Sequence, residues 1–284
     1  MRSAAILLFA ALAAIPGIAY TQTSVLDRVR QGGPLTIGFI EDAAPFSFTG
    51  ADRQPQGFAV DLCRKVAAGI RTQLKLEKVE VRWVPLTVGN RLEAVRTNKV
   101  DIECSTTTWT LSRQDTVDFS LITFVDGGSV LSKSGSRLAR LVDFGGKRLA
   151  VIAGTTTERA LRDALGERSI KSDIVTVTSR TEGLKLLDEG RVDGFAADRT
   201  TLIALISMRR TTAAFSLLDE DFSVEPYALS LPRGDYAFRL AVNRVLARIY
   251  RSGDIVEIYK RWLGDFGPPS LLLSATYFVQ SLGE

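Results

Sequence analysis

Histidine is absent from the 284-residue chain, and cysteine occurs only twice, as Cys63 and Cys104. Without histidine, the Ser-His-Asp and Cys-His catalytic triads and the histidine-ligated zinc sites are excluded. Two widely separated cysteines do not form a metal site, so we expect no metal and no cofactor. In an oxidising compartment these two residues could form a disulfide; otherwise they would be small buried apolar side chains.

Runs of one charge are also missing. The chain has 36 Lys and Arg against 32 Asp and Glu, and the basic residues are scattered along it rather than grouped with aromatic residues. This distribution gives no indication of nucleic-acid binding. The balance of 45% hydrophobic and 24% charged residues is that of an ordinary globular protein.

Long apolar runs are confined to the first residues of the chain. Arg2 precedes an apolar helical run over 4–15, Pro16-Gly17 interrupts it, and small residues allow cleavage after Ala19. This pattern predicts a signal peptide over 1–19, extending to about 23, and therefore export to the periplasm. The run is too short to span a membrane comfortably, and the same holds for the apolar C-terminal segment.

The remaining pattern alternates between short strands and amphipathic helices, and this alternation occurs twice. The first round ends with a strand at 100–104 and the second begins with a strand at 148–152. Strand, helix and strand in succession predict parallel sheets with right-handed crossovers. Two extended segments, 119–132 and 224–232, join the units. We therefore predict an α/β fold of two lobes, each a mainly parallel sheet flanked by helices, with a ligand cleft between them.

This reading also predicts where each lobe begins and ends. Lobe 1 is discontinuous, over 33–124 and 228–267, because the last helices have no sheet of their own and return to the first unit. Lobe 2 covers 125–227. The tail over 268–284 is expected to pack on the body of the protein.

The first candidate binding residues follow the strand at 100–104. This strand ends in a run of hydroxyl side chains, and Arg113 comes one short loop later. An arginine can bind a carboxylate through two N–H groups, and hydroxyls can add further hydrogen bonds. A threonine-rich turn with a surface arginine is the alternative. The hydroxyl candidates are Ser105, Thr106 and Thr108.

Further candidates follow other strands. Thr155 and Thr156 begin a helix whose N–H groups suit an anion. Asp198 follows a strand and could bind an ammonium group, or could simply cap the next helix. Arg91 lies on a helix and could instead be solvated. Because ligands bind outside the carboxyl ends of strands in open α/β sheets, these positions predict one site, complementary to a zwitterionic α-amino acid.

Several motifs extend this picture along the chain. They are Pro45-Phe46-Ser47-Phe48, Gly57-Phe58-Ala59-Val60-Asp61-Leu62, Asn90-Arg91, Val100-Asp101-Ile102-Glu103-Cys104, Val117-Asp118-Phe119-Ser120, Gly154-Thr155-Thr156 and Gly190-Arg191-Val192-Asp193. In order and spacing, the chain resembles the periplasmic solute-binding proteins of polar amino-acid ABC transporters, family 3, with the type II two-lobed fold. It is closest to the glutamate/aspartate-binding subgroup. The resemblance implies a non-catalytic monomer that binds an amino acid and delivers it to an inner-membrane permease.

The resemblance also assigns roles to single residues. Arg113 would bind the ligand α-carboxylate, helped by Thr106, Thr108 and Thr156. Asp198 would bind the α-ammonium. Positions 40, 88 and 91 would face the ligand side chain, and Phe46 joins the site through its motif. The candidate residues are Arg113, Asp198, Thr106, Thr108, Thr155, Thr156, Ser105, Arg91, Ile40, Val88 and Phe46.

The side-chain positions depart from the acidic-ligand pattern. That subgroup has arginine at the position of Ile40 and a hydroxyl at that of Val88, so this chain keeps only Arg91. We therefore expect a pocket that accepts glutamate or glutamine and rejects lysine and arginine.

Two other functions remain open at this point. Exported arogenate/prephenate dehydratases resemble the same family, and such an enzyme needs a cleft carboxylate with a raised pKa, for which Glu103, Glu41 and Asp42 are available. A periplasmic ligand-sensing subunit would bind the same class of ligand. No catalytic signature appears in the sequence, so we assign no catalytic residues.

Overall fold

The computed structural model describes residues 24–210 and 212–281, so the predicted signal peptide lies outside the described residues. The strands are β1 (Leu35–Ile40), β2 (Asp42–Ala43), β3 (Ser47–Thr49), β4 (Pro55–Gln56), β5 (Val81–Leu86), β6 (Ile102–Cys104), β7 (Asp118–Lys133), β8 (Arg148–Ile152), β9 (Asp173–Val177), β10 (Gly194–Asp198), β11 (Phe215–Leu217) and β12 (Ser223–Leu231). The helices are α1 (Val25–Arg30), α2 (Phe58–Gln73), α3 (Arg91–Arg96), α4 (Leu111–Gln114), α5 (Thr156–Glu167), α6 (Arg180–Asp188), α7 (Arg199–Met208), α8 (Tyr236–Ser252), α9 (Asp254–Leu263) and α10 (Leu271–Gln280). Short 3₁₀ turns lie at Leu141–Phe144, Thr212–Ala214 and Gly264–Phe266.

One sheet runs through the whole protein, in the order β5-β1-β6-β12-β7-β10-β8-β9, with β11 paired to β7. At one end β1 is parallel to β5 and β6, and at the other end β8 is parallel to β9 and β10. The antiparallel strands β7 and β12, called the crossing strands below, join these two ends. The predicted α/β two-lobed fold is thus confirmed, although the two predicted sheets are halves of one.

Each end of the sheet has its own helices and hydrophobic clusters. Lobe 1 here denotes β1 to β6 with α1 to α4 and α8 to α10, and lobe 2 denotes β8 to β11 with α5 to α7. In lobe 1, α2, α8 and α9 pack together over the sheet in one large cluster. In lobe 2, two smaller clusters cover opposite faces of the sheet. The exact lobe boundaries given above remain predictions.

Local sequence signals explain where the helices begin. Hydroxyl or carboxylate side chains accept an N–H from the first turn of six helices, as expected for N-cap residues. These capping residues are Ser24, Thr110, Thr155, Ser179, Asp235 and Ser270. Helix α2 instead starts after Gly57, whose φ of 128° and contact with the Phe46 carbonyl leave no space for a Cβ atom.

A disulfide joins Cys63 on α2 to Cys104 at the end of β6, with Cα atoms 6.5 Å apart. It links the main helix of lobe 1 to the strand that precedes the hydroxyl run. The structure thereby decides between the two states that the sequence allowed.

The C-terminal helix α10 holds one of the crossing strands. The pairing of β7 with β12 shifts register at Thr123, whose backbone carbonyl accepts the Tyr277 hydroxyl at 2.8 Å. The Gln280 side chain forms two hydrogen bonds with the backbone of Ile122, and Tyr250 on α8 donates to the same Ile122 carbonyl. Because α10 packs on α8, it fixes this part of β7 to lobe 1. None of the helices in the described ranges is long and apolar enough to cross a membrane.

Candidate functional site

A pocket lies between the lobes, with an empty volume of about 330 Å³. Its lining residues lie at or after the carboxyl ends of the strands, where the sequence predicted a site. Lobe 1 contributes Arg91, Thr106 and Thr108, whereas lobe 2 contributes Thr155, Thr156, Thr157, Arg180 and Asp198. The structure thus brings candidates from both lobes together in one polar pocket.

Two arginines enter this pocket from opposite sides. Arg91 is 4% exposed, which excludes the solvated orientation that the sequence left open. Arg180, the first residue of α6, is also 4% exposed, and its Nη2 donates to Thr106 Oγ1 at 3.1 Å. Its Nε atom is buried and has no hydrogen-bond partner among the described residues. The burial of both side chains makes the pocket suited to a carboxylate.

The two arginines interact electrostatically. Burial lowers the pKa of Arg91, Glu103 opposes this effect, and the neighbouring Arg180 lowers the pKa further. Two guanidinium groups so close together repel each other, and an anion between them would relieve that repulsion.

Contacts across the cleft place Arg180. Its backbone N–H donates to Asp42 Oδ2 at 3.0 Å, and its Nη1 lies 3.4 Å from Asp42 Oδ1. Asp42 belongs to β2 of lobe 1, so this ion pair holds the start of α6 against the opposite lobe.

Arg113 lies beside the pocket rather than among the residues that line it. It is half-buried, and its Nη1 donates to the Thr108 carbonyl at 2.8 Å. Burial and then repulsion from Arg91 lower the pKa of Arg113 to about 10, so the guanidinium is charged at neutral pH. Arg113 therefore adds a third positive charge near the two arginines of the pocket.

Asp198 is buried at the end of β10 and lines the pocket. It occupies the N-cap position of α7, but its side chain makes no capping hydrogen bond. Instead, Oδ1 accepts the Thr157 hydroxyl at 2.9 Å. Its carboxylate is therefore available to a ligand ammonium, and helix capping does not explain it.

The hydroxyl candidates differ in what they can offer a ligand. Thr106 accepts from Arg180, and the Thr108 and Thr156 hydroxyls meet across the cleft at 2.9 Å. Thr155 lines the pocket, but its hydroxyl is used to cap α5. Ser105 is hydrogen-bonded to the buried carboxylate of Glu103 and does not line the pocket.

Besides Arg113 and Ser105, three further candidate residues lie outside the pocket. Phe46 is part of the lobe 1 core, where its ring contacts those of Phe58, Phe124 and Tyr227. Ile40 is buried in a second cluster of lobe 1, and Val88 packs against an apolar cluster of lobe 2. Their apolar side chains bury more surface in these clusters than they could in a polar pocket.

Sequence reasoning missed Arg180 and two acidic residues of the crossing strands. Arg180 follows the end of β9, so the strand-end rule that found the other candidates applies to it equally. Asp126 on β7 and Glu225 on β12 are cross-strand neighbours. Both lie within their strands, so a search for polar residues after strand ends does not find them. Glu225 is buried and Asp126 is half-buried, and both interact electrostatically with Asp198.

These acidic side chains affect the pKa values of one another. Burial, followed by repulsion from Asp198, raises the pKa of Asp126 to about 7 and raises the pKa of Glu225. The Tyr227 hydroxyl contacts both Asp126 and Asp198. Across the described ranges, no three acidic or cysteine side chains are grouped so as to hold a metal ion.

Comparison with known protein families gives a match over most of the chain. A family model described as "Bacterial extracellular solute-binding proteins, family 3" matches residues 35–265. This protein belongs to that family. The match ends before α10, so the helix that holds β7 lies beyond the region that the family shares.

Two curated relatives extend over most of this family 3 protein. The L-glutamate/L-aspartate-binding protein of Pseudomonas aeruginosa is 31% identical over 261 residues, covering 92% of this chain and 86% of the relative. The glutamate/aspartate import solute-binding protein of Salmonella typhimurium is 26% identical, covering 88% and 82%.

A solved structure shares the fold. The ancestral amino acid-binding protein AncCDT-1, a precursor of cyclohexadienyl dehydratase, is 27% identical with a TM-score of 0.72, and the match covers 84% of this chain and 99% of that one.

Proposed function

We propose that this family 3 protein binds an acidic amino acid in the periplasm and delivers it, as a monomer, to an inner-membrane ABC permease. The observation that carries the ligand class is the pair of buried arginines, Arg91 and Arg180, which face one pocket from the two lobes. Glutamate- and aspartate-binding relatives support the same class.

The main-chain groups of the ligand have partners of opposite charge nearby. Arg113 is proposed to bind the α-carboxylate, with the N-terminus of α5 adding N–H groups. Asp198 is proposed to bind the α-ammonium, because its side chain is buried, faces the pocket and is not used for capping.

The second carboxylate of the ligand is the more demanding group, because burying it without a partner costs several kcal/mol. Arg91 alone offers one partner for this carboxylate. For that reason, the sequence predicted a pocket that accepts glutamine as well as glutamate. With Arg180 in the same pocket, a side-chain carboxylate has two partners, whereas a neutral amide would bring no negative charge to the two buried guanidinium groups.

Calorimetric titration of the purified mature protein with six amino acids tests this proposal. Glutamate or aspartate should bind at least about tenfold more tightly than glutamine. Leucine should bind weakly, and lysine and arginine should give no signal because a cationic side chain would face two arginines. Tightest binding of lysine or arginine would contradict the proposal, and glutamine binding as well as glutamate would contradict the acidic class.

A dehydratase is the second candidate, because one structural relative is a precursor of such an enzyme. The carboxyls with raised pKa values, Asp126 and Glu225, are not among the residues that line the pocket. Glu103 is fully buried and bonded to Ser105 and Ser230. The arrangement therefore favours binding without catalysis. Incubation with prephenate, followed by ultraviolet absorbance, should show no phenylpyruvate.

A further inference from the structure

The Glu225 carboxylate connects the two lobes from the crossing strand β12. It is 2% exposed, and its Oε2 atom accepts the Thr108 hydroxyl at 2.7 Å and the Thr156 hydroxyl at 2.7 Å. Thr108 belongs to lobe 1, and Thr156 is the first residue of α5 in lobe 2. The other carboxylate oxygen, Oε1, accepts the Ser223 hydroxyl at 2.8 Å.

The hydrogen atoms of this group can be counted. The three oxygens, Thr108 Oγ1, Thr156 Oγ1 and Glu225 Oε2, form a triangle with sides of 2.9, 2.7 and 2.7 Å. Each threonine hydroxyl has one hydrogen, and an ionised carboxylate has none. When both hydroxyls donate to Glu225, no hydrogen remains for the contact between the two threonines.

Both hydroxyl oxygens then present only lone pairs to each other and to the pocket that they line. A group that donates two hydrogen bonds is needed to satisfy them, and a negative charge behind them favours a positive donor. Asp198 lines the same pocket and adds a second negative charge on this side. An ammonium group meets both requirements, since it carries several N–H donors and a positive charge.

We propose that Glu225 is a positioning residue for the ligand α-ammonium: it fixes the Thr108 and Thr156 hydroxyls as acceptors and joins the lobes around the bound ligand. This inference rests on the proposed function, because it takes the ligand to be an α-amino acid. In addition to Asp198, the ammonium group would then contact two hydroxyls, those of Thr108 and Thr156, from opposite lobes.

The surroundings of Glu225 agree with this role. Asp198 and the cross-strand neighbour Asp126 are both acidic, Tyr227 contacts them, and Arg113 is the nearby positive charge. Burial and repulsion from Asp198 raise the pKa of Glu225. A bound ammonium would offset this excess of negative charge.

The test compares two ligands that differ only in the ammonium group, glutamate and glutarate, by calorimetric titration and by competition. Glu225→Ala should weaken glutamate binding at least about tenfold, while glutarate binding changes less than about threefold. Glu225→Gln keeps one acceptor oxygen without the charge and should lie between wild type and Glu225→Ala. Ser223→Ala, which removes the bond to the other carboxylate oxygen, serves as the matched control and should preserve the ratio of the two affinities.

Damage to the fold would weaken the binding of both ligands equally. An unchanged ratio of glutamate affinity to glutarate affinity in Glu225→Ala and Glu225→Gln would therefore overturn the role of Glu225. Unchanged glutamate affinity in both variants would overturn it as well. Failure of the proposed function has a different signature, because wild-type protein would then bind no glutamate or would bind another amino acid at least as tightly.

Discussion

The two lobes contribute different chemistry to the same pocket. Lobe 1 supplies Arg91 and the hydroxyls of Thr106 and Thr108, whereas lobe 2 supplies Asp198 and Arg180. Neither lobe alone offers both a carboxylate for an ammonium group and two arginines for a side-chain carboxylate. Under the proposed function, an acidic amino acid would gain its full set of partners only when the lobes meet, which would link recognition to closure of the cleft.

The lobes also differ in how they are stabilised. Lobe 1 has a disulfide and one large cluster that includes residues of α10, beside a smaller second cluster, whereas lobe 2 has no cysteine and relies on two smaller clusters. Lobe 1, which carries Arg91 and Arg113, is thus the more extensively cross-linked and packed of the two lobes.

Removal of the disulfide should have the largest effect, and it should act on lobe 1. Cys63 and Cys104 are separated by 41 residues, and closing a loop of this length stabilises a protein by about 4 kcal/mol. The double variant Cys63→Ala/Cys104→Ala should lose about that much free energy of unfolding in urea.

The tryptophans allow the lobes to be compared in the same experiment. Trp83 and Trp262 pack on the lobe 1 core, and Trp109 follows the hydroxyl run of the same lobe. Tryptophan fluorescence therefore reports lobe 1, and circular dichroism reports both lobes. In the variant, the fluorescence transition should move to lower urea concentration ahead of the dichroism transition. Coincident shifts of both signals would show that the lobes unfold as one unit.

Truncation of Arg180 should have the next largest effect, on binding. Arg180→Ala removes the lobe 2 partner of the side-chain carboxylate, and we expect a loss of about 3 kcal/mol in glutamate binding. Leucine affinity should change far less, because leucine has no second carboxylate. Calorimetry with both amino acids measures the difference.

The matched control for Arg180 is Arg191→Ala, an exposed arginine of the same lobe that pairs with Glu189 at 3.6 Å. It should leave both affinities unchanged. If Arg180→Ala weakened leucine and glutamate equally, Arg180 would act only in closure through its pair with Asp42, and the acidic class would lose its main support.

Local signals predicted the fold well and the site in part. The strand predicted at 148–152 is β8 in the structure, and Thr155, predicted at the start of a helix, caps α5. Both features depend on neighbouring residues in the chain. Asp198, Thr106 and Thr108 follow strand ends, so the position of a strand was enough to place them at the cleft.

The missing residues depend on contacts between distant segments. Arg180 reaches the pocket because Asp42 of the other lobe holds the start of α6, and Glu225 contacts two threonines of the pocket, Thr108 and Thr156, because β12 crosses between the lobes. Phe46 stands in a motif that suggested the site, and the resemblance assigned Ile40 to it, yet both side chains pack in hydrophobic clusters of lobe 1. Tertiary packing determines the direction in which each of these side chains points, and the sequence alone does not show that packing.

The smallest expected effect concerns the attachment of β7 to lobe 1. Tyr277→Phe removes the hydroxyl that donates to the Thr123 carbonyl, in a buried contact where the register of β7 shifts. An unsatisfied buried carbonyl costs about 1 to 3 kcal/mol, and the low end is expected here because the Tyr277 ring still packs against Tyr250. Thermal unfolding should therefore show a small loss of stability. Tyr236→Phe, on an exposed tyrosine of α8, is the control and should show none. Equal stability of the two variants would mean that α10 holds β7 through its apolar contacts and the Gln280 bonds, with no contribution from the hydroxyl.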